Sequence, residues 1–372
     1  MKLTCMKDEL LAAIIYTQKA VSTRTTMPIL EGLLLEAQDV LKLTGYDMDI
    51  GIEATVQANI QEPGSLVINS KMLGDIIRKL PEETVSFATD ENQVVIIESG
   101  RSLFRVKSLD SEGFPKLPVV EANRSLNIEQ AMLKEMIRQT IFAVSTDEAR
   151  PNLNGSLLVS EAEKLEMVSI DGFRMALRRF ARDPEKEDQS APWPELRFII
   201  QGKVLRELSG ILSDRGMIDI YSTDNHIMFN LGDVKVVSRL IQGEFLNYQS
   251  IIPTNELTRM VINTRDMQNA FDRSLLMLSA ENNRFPVTLS TPDEERLFID
   301  ITTVRGTLHE ELNVQLTGKL IDCDFNPRFF LDALRVIDDE NIAVSFKGDI
   351  GPCVIRPESG DKFAFIVLPL RK

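Results

Sequence analysis

Histidine is nearly absent from this chain: 372 residues hold two, His226 and His309. Chemistry that needs imidazole as a base or metal ligand has little to build on. His226 follows Asp224 and Asn225 and reads as a turn residue; His309 precedes Glu310 and Glu311 and reads as a solvated charge partner. Cysteine is nearly as scarce. Cys5, Cys323 and Cys353 have no metal-ligand spacing and cannot all pair, so they read as buried, reduced thiols of a cytosolic protein. The sequence shows no signal peptide, no low-complexity tract and no apolar run long enough for a bilayer, and a cytoplasmic location is expected. The phosphate-loop pattern G-x-x-x-x-G-K-S/T and the nucleophile elbow G-x-S-x-G are both missing. Asp47 and Asp49 would share a strand face as a carboxylate pair, but after Gly45 a solvated turn is the better reading. Asp338 to Glu340 reads as a surface loop. The expectation is a chain with no catalytic residues, no metal and no cofactor.

What the chain does contain is an internal repeat. Residues 3–22, 126–145 and 260–279 each run from an apolar start to a closing serine. Inside each, one set of positions advances by steps of four, four and three: Leu10, Ile14, Gln18, Val21; Leu133, Ile137, Ile141, Val144; Met267, Phe271, Leu275, Leu278. Such steps lie on one helical face, and Gln18 is the polar exception. A second register follows in each third. Segments 68–80, 200–212 and 325–337 read as shorter helices, with Lys71, Lys203 and Arg328 at matching places and Pro327 suited to a first helical turn. Glycine turns at Gly100, Gly232 and Gly360 come next, flanked by strand patterns. Three ordered features in three copies predict an α+β chain of three like domains, 1–123, 124–254 and 255–372.

Charge is segregated. The net charge is -14, which for the whole chain argues against nucleic acid. The six predicted helices (7–24, 71–80, 128–145, 201–212, 262–279 and 326–337) nevertheless carry 14 Lys and Arg against 9 Asp and Glu, so the remainder carries a net -19. Base sits on helices, and acid on strands and loops. Three equal domains without a catalytic constellation favour a scaffold, ring or binding platform.

Several short segments carry a family resemblance. They are Arg24, Thr26, Pro28, Ile29, Leu30 and Leu33 to Leu35; Leu43, Thr44 and Asp47; Glu148, Arg150, Pro151, Leu153 and Gly155; Asp171, Gly172, Arg174, Met175 and Ala176; and the closing Ile366 to Arg371. In order, spacing and total length they resemble the bacterial DNA polymerase III beta subunit, the replicative sliding clamps. The resemblance implies helices inside and antiparallel sheets outside. It implies two chains joined head to tail into a homodimeric ring of pseudo-sixfold symmetry around duplex DNA. The function implied is a processivity factor, a non-catalytic subunit whose polymerase activity belongs to the partner. Partners would be the replicative polymerase, the clamp loader, other polymerases, and mismatch-repair or ligase proteins carrying a clamp-binding peptide. Nucleoid association during replication goes with that role.

Three sets of residues follow: the first from resemblance and register together, the second as the resemblance implies, the third by position within the implied ring. Duplex contacts without sequence preference would be Arg24, Lys71, Arg150, Lys203, Arg206 and Arg328. A groove for a short apolar and aromatic peptide would use Leu153, Ile170, Gly172, Arg174, Met175, Leu246 and Ile251 from the middle domain. The last domain would add Asn326, Phe329, Ile350, Pro352, Val367, Leu368, Pro369, Leu370 and Arg371. The contact between protomers would place Phe104, Arg101, Arg105 and Lys107 of the first domain against Met277, Leu278, Glu310 and Glu311 of the third. The chain departs from common family residues at Phe173, Leu246, Ser250 and Arg284, and ends on Lys372, which bears on groove specificity. Residues 181–195 form a charged, proline-rich loop that Trp193 would fasten. Two alternatives remain at this point: a three-domain protein-binding scaffold that never encircles DNA, and a carboxylate–metal hydrolase using Asp47 and Asp49.

Overall fold

Asparagine starts three of the six α-helices among the described residues. The helices are α1 (Lys7–Gln18), α2 (Ser70–Lys79), α3 (Gln130–Thr140), α4 (Gly202–Ser209), α5 (Thr264–Ser274) and α6 (Pro327–Leu334). The side chains of Asn69, Asn263 and Asn326 accept from the backbone amides of Met72, of Arg265 and Asp266, and of Arg328. Each satisfies donors that a helix N-terminus otherwise leaves open. The chain was studied as a computed structural model describing residues 1–372 apart from 23–24, 91, 122–123, 183–191, 279–284, 349 and 371–372.

The long helices are shorter than their apolar pattern predicts. Helices α3 and α5 tighten into 3-10 turns at Ile141–Ala143 and Leu275–Met277, and α1 stops at Gln18. The pattern outlasts the α-helix because a 3-10 turn still turns its side chains toward the core. Gln18 explains itself: its Nε2 donates to the Ser70 carbonyl at 2.5 Å, at the start of α2. Gly74 on α2 leaves room for this, since a Cβ there would lie 2.6 Å from Gln18 Nε2. The three hairpin glycines all have left-handed backbones, with φ of 57° at Gly100, 90° at Gly232 and 81° at Gly360. These turns therefore close without strain.

The described chain forms two compact units: residues 1–131 with 210–240, and 132–209 with 241–372. The middle third thus contributes to both. The physical reason is strand pairing between thirds. In the first unit, one antiparallel sheet runs through Gly64–Asn69, Gly32–Ala37, Leu41–Tyr46, Ile50–Val56, Val234–Ile241, His226–Asn230, Met217–Ser222 and Arg124–Glu129. In the second, Leu196–Gln201, Gly155–Glu161, Lys164–Ile170 and Arg174–Ala181 continue into Phe363–Val367, Cys353–Pro357, Asn341–Phe346, Thr258–Asn263 and Gln315–Gly318. A smaller sheet completes each unit. The first unit's ends on the edge strand Ser102–Lys107, and the second unit's on the edge strand Gly306–Asn313.

Cys5, Cys323 and Cys353 are all buried, and none forms a disulfide. Burial, with Glu9 adding to it, pushes the Cys5 thiol up to about 12, and burial holds Cys353 well above its usual value. His309 Nδ1 meets Asp300 Oδ1 at 2.6 Å, so its partner is across the hairpin and is not the neighbouring Glu310 or Glu311. The Asp47 side chain accepts from the amides of Asp49 and Ile50, which makes the pair a turn. No group of His, Cys, Asp or Glu among the described residues is arranged to hold a metal ion. No helix among them is long and apolar enough to cross a membrane. Of the 181–195 loop, residues 183–191 lie outside the description, and the Trp193 amide donates to the Ala162 carbonyl.

Candidate functional site

An aspartate builds the turn at the centre of the groove. Asp171 Oδ1 accepts from the amides of Phe173 (2.9 Å) and Arg174 (3.0 Å). Gly172 between them sits at φ 95°, a conformation that disfavours a side chain. The turn leaves Phe173 62% exposed and sends Arg174 across to α6. Arg174 donates from Nε to Asp171 Oδ2 (2.8 Å) and from Nη1 to Asp332 Oδ2 (2.6 Å). Its guanidinium also lies over the rings of Phe329 (4.6 Å) and Phe142 (5.5 Å). Phe173 stacks on Phe329 with centroids 6.3 Å apart. One cation thus ties the middle-third hairpin to the last-third helix, and its stem is shielded by aromatics.

The chain end is held at the same place. Arg174 pairs with Val367, and Val367 with Cys353, so the ends of three strands line up. Beyond them Leu368 donates its amide to the Phe173 carbonyl (2.9 Å) and Leu370 to the Asp324 carbonyl (2.7 Å). Leu246, Ile350, Leu368 and Leu370 remain exposed, Ile350 at 91%. Phe173 and Leu368, exposed side by side next to a partly buried arginine, make a surface suited to an apolar ligand.

The predicted groove residues separate into floor and rim. Leu153, Ile170, Met175 and Val367 are buried and belong to packed cores, so they support the groove and do not present their side chains to it. Gly172, Leu246, Ile350, Leu368 and Leu370 reach the surface, while Arg174, Ile251, Phe329, Pro352 and Pro369 are half-buried. Asn326 serves as the cap of α6. Arg371, Arg284 and Lys372 lie outside the described residues. Asp171, Asp332 and Phe142 were missed by reasoning from sequence. Asp332 had a signal: it follows Phe329 by three, on the same helical face.

Five of the six predicted duplex contacts fall on described residues. Lys203 and Arg206 are exposed on α4 at i and i+3, and Arg328 is exposed at the start of α6. A Cβ on Gly172 would meet Arg150 Nη1 at 3.0 Å, so Arg150 flanks the groove turn. Lys71 lines a cleft of about 500 Å³ with Asn69, Met72, Asp75, Ile76, Lys79 and Phe104. Arg24 lies outside the described residues.

That cleft bears on the predicted protomer contact. Phe104 is 37% exposed on the edge strand 102–107, and Arg101, Arg105 and Lys107 are exposed around it. In the second unit Met277 and Leu278 are partly buried against the core, and Leu276 is the exposed residue, at 72%. Leu275 and Leu278 lie on the apolar face that the helical pattern marks, and Leu276 lies off it. Glu310 is held by Arg273 at 2.5 and 2.7 Å, and this hydrogen-bonded pairing keeps its carboxyl below the usual range. Glu311 stands 3.6 Å from Arg296 with half its side chain exposed.

Comparison with known proteins covers the whole chain. The family models for the DNA polymerase III beta subunit match in order: the N-terminal domain over residues 1–118, the central domain over 127–247 and the C-terminal domain over 249–371. The beta sliding clamp of Bacillus subtilis is 35% identical over 383 residues, covering all of both chains. A crystal structure of a DNA polymerase III beta subunit from Eubacterium rectale superposes with a TM-score of 0.94 at 33% identity, covering all of both chains. A sliding clamp from Pseudomonas aeruginosa bound to griselimycin gives a TM-score of 0.92 at 26% identity, again over all of both chains.

Proposed function

The chain belongs to the DNA polymerase III beta-subunit family, the replicative sliding clamps, and from that premise we propose how its own residues close a ring and hold a partner. It folds as α+β with three clamp domains, and its function is that of a processivity factor. The scaffold alternative is not favoured. We place the domain borders at 123/124 and 254/255.

One observation carries the ring. In each third, the strand after the glycine turn is the last strand that third contributes: Ser102–Lys107, Val234–Ile241 and Phe363–Val367. The second of these pairs with Ile50–Val56 and the third with Arg174–Ala181. The counterpart of those two acceptor strands in the last third is Gly306–Asn313, and it ends its sheet without an outer neighbour, as Ser102–Lys107 does. Two open edges of matching kind on one chain call for a second copy placed head to tail. Strand 102–107 of one protomer then lies along 306–313 of the other. Arg101, Arg105 and Lys107 face the acidic edge at Glu311, and Leu276 enters the cleft beside Phe104, Met72 and Ile76. Lys71 belongs to this contact more than to DNA.

Duplex DNA is held by Lys203, Arg206 and Arg328 through phosphates, which carry no sequence information, so the ring moves on any sequence. The exposed apolar rim around Arg174 receives the clamp-binding peptides of the replicative polymerase, the loader and repair proteins. Catalysis belongs to those partners, and the site of action is the cytoplasm at the nucleoid. Lys203→Ala with Arg206→Ala is expected to weaken binding equally on two unrelated duplexes and to reduce the logarithmic salt slope by about 2. Fluorescence anisotropy at several salt concentrations measures both; a sequence-dependent loss would contradict the assignment.

The direct test is electron microscopy of the purified protein. Averaged particles showing a closed ring with a central hole and six lobes are expected. Open three-lobed particles at micromolar concentration would overturn the closed dimer.

A further inference from the structure

Behind the groove lies a buried charge that the clamp function leaves unused. Glu166, on strand Lys164–Ile170, is fully buried, and its Oε1 accepts from Arg179 Nε at 2.7 Å. Its Oε2 accepts from the Tyr248 hydroxyl at 2.5 Å and lies 3.6 Å from Lys164 Nζ. Arg179 also binds Asp361. Tyr248 is 3% exposed and opens the 3-10 turn Tyr248–Ser250 in the connector between the middle and last thirds. Phe245 and Tyr248 pack on Leu153, Ile170 and Met175, while Leu246 projects to the rim. The connector has one further tie, from Asn152 Nδ2 to the Glu244 carbonyl at 2.8 Å.

The chain contains its own control. The border between the first and middle thirds is assembled from the same parts. A 3-10 turn Pro28–Glu31 buries Leu30 as Pro151–Leu153 buries Leu153. Asp47 caps its turn as Asp171 does, and Met48 at φ 78° matches Gly172. Phe114 is buried in its connector like Phe245. At the place of Glu166, five residues ahead of the turn aspartate, stands Lys42. At the place of Tyr248, three residues past the phenylalanine, stands Leu117, which rests on Gly51, where a Cβ would meet it at 2.2 Å. The hydroxyl–carboxylate pair is confined to the border that carries the apolar rim.

We propose that Tyr248 is a positioning residue for the groove: its hydroxyl, held by the buried Glu166 carboxylate, fixes the connector so that Leu246 and Ile251 stand as a preformed wall. Burial first, and the neighbouring carboxylate second, hold the Tyr248 phenol well above its usual range, so it remains a donor at every physiological pH. A charge-assisted bond in a dry site is strong and directional, and a wall set before the ligand arrives loses less entropy on binding. The inference rests on the peptide reading of the groove.

The test uses full-length Tyr248→Phe, which keeps the ring and removes only the hydroxyl, and Glu166→Gln, which keeps an acceptor. Amide exchange over 244–252 is compared with exchange in strand 155–161, and a fluorescein-labelled peptide ending Leu-Phe is titrated by anisotropy. Tyr248→Phe is expected to speed exchange in the connector alone and to raise the peptide Kd about ten-fold through faster dissociation. Glu166→Gln is expected to fall between it and the wild type. Unchanged connector exchange in Tyr248→Phe, or a rise spread equally over 155–161, overturns the positioning role. Wild-type protein that ignores the peptide while Tyr248→Phe still loosens the connector overturns the peptide reading and upholds the positioning.

Discussion

Leu276→Asp combined with Phe104→Asp is expected to halve the native mass in solution and to abolish retention on circular duplex DNA. Both side chains are exposed in the single chain, Leu276 at 72% and Phe104 at 37%. Their replacement therefore leaves the fold of each protomer intact. In the proposed ring each becomes buried, which contributes about 2 kcal/mol per apolar side chain. A carboxylate placed in that contact adds a desolvation cost. A loss of about 5 kcal/mol per contact raises the dissociation constant by several thousand-fold. A two-fold ring has two such contacts, and every substitution acts at both. Sedimentation velocity decides the matter: an unchanged mass removes both residues from the interface. Met277→Asp serves as the contrast, because Met277 packs partly against the core and its loss lowers the melting temperature of the protomer itself.

Arg174→Ala is expected to reduce affinity for an apolar–aromatic peptide by at least a hundred-fold and to lower protomer stability by about 2 kcal/mol. The arginine side chain is only 13% exposed, whereas Asp332 is 38% exposed, so solvent screens part of the pairing. Its removal leaves Asp171 and Asp332 without this cation and takes the guanidinium from over the Phe329 ring. The peptide loss exceeds the stability loss because the same side chain orients the Phe173 turn and the helix that carry the rim. Arg174→Lys keeps the charge but cannot serve both carboxylates in a plane, and it should recover stability more than binding. Calorimetry with the peptide and a thermal melt separate the two effects. Equal losses in both would reduce Arg174 to a structural tie.

Periodicity made the helices legible, and Gly100, Gly232 and Gly360 made the hairpins legible, because both are local properties of the chain. Arg174 stood out because it lies in a recognisable turn. What could not be read are contacts between distant segments. Lys71 and Lys203 hold matching places in the repeat, yet Lys71 lines an apolar cleft and Lys203 faces out from α4. Their difference lies in Phe104, thirty-three residues from Lys71, which sequence places on no particular side of α2. Arg150 is a further case: its position beside Gly172 depends on a turn 22 residues later. Glu166 and Tyr248 carried no pattern at all, since a lone glutamate in an apolar strand and a tyrosine in a connector are each unremarkable alone.

Pairing between thirds also governs how the protein is made. Ala54 pairs with Val234, 180 positions later, and Arg174 with Val367, 193 positions later. Contacts of such sequence separation slow folding, since a long loop must close before they form. On the ribosome, the first third emerges complete in sequence yet with strand Ile50–Val56 still lacking its second neighbour. That edge stays open until translation reaches residue 241, and the edge at Arg174–Ala181 until the chain is almost finished. Each nascent chain therefore passes through a long interval with an apolar strand open along one edge, when neighbouring chains on the same message are at their nearest. The demand this places on chaperones falls at synthesis and is over once Val367 is seated.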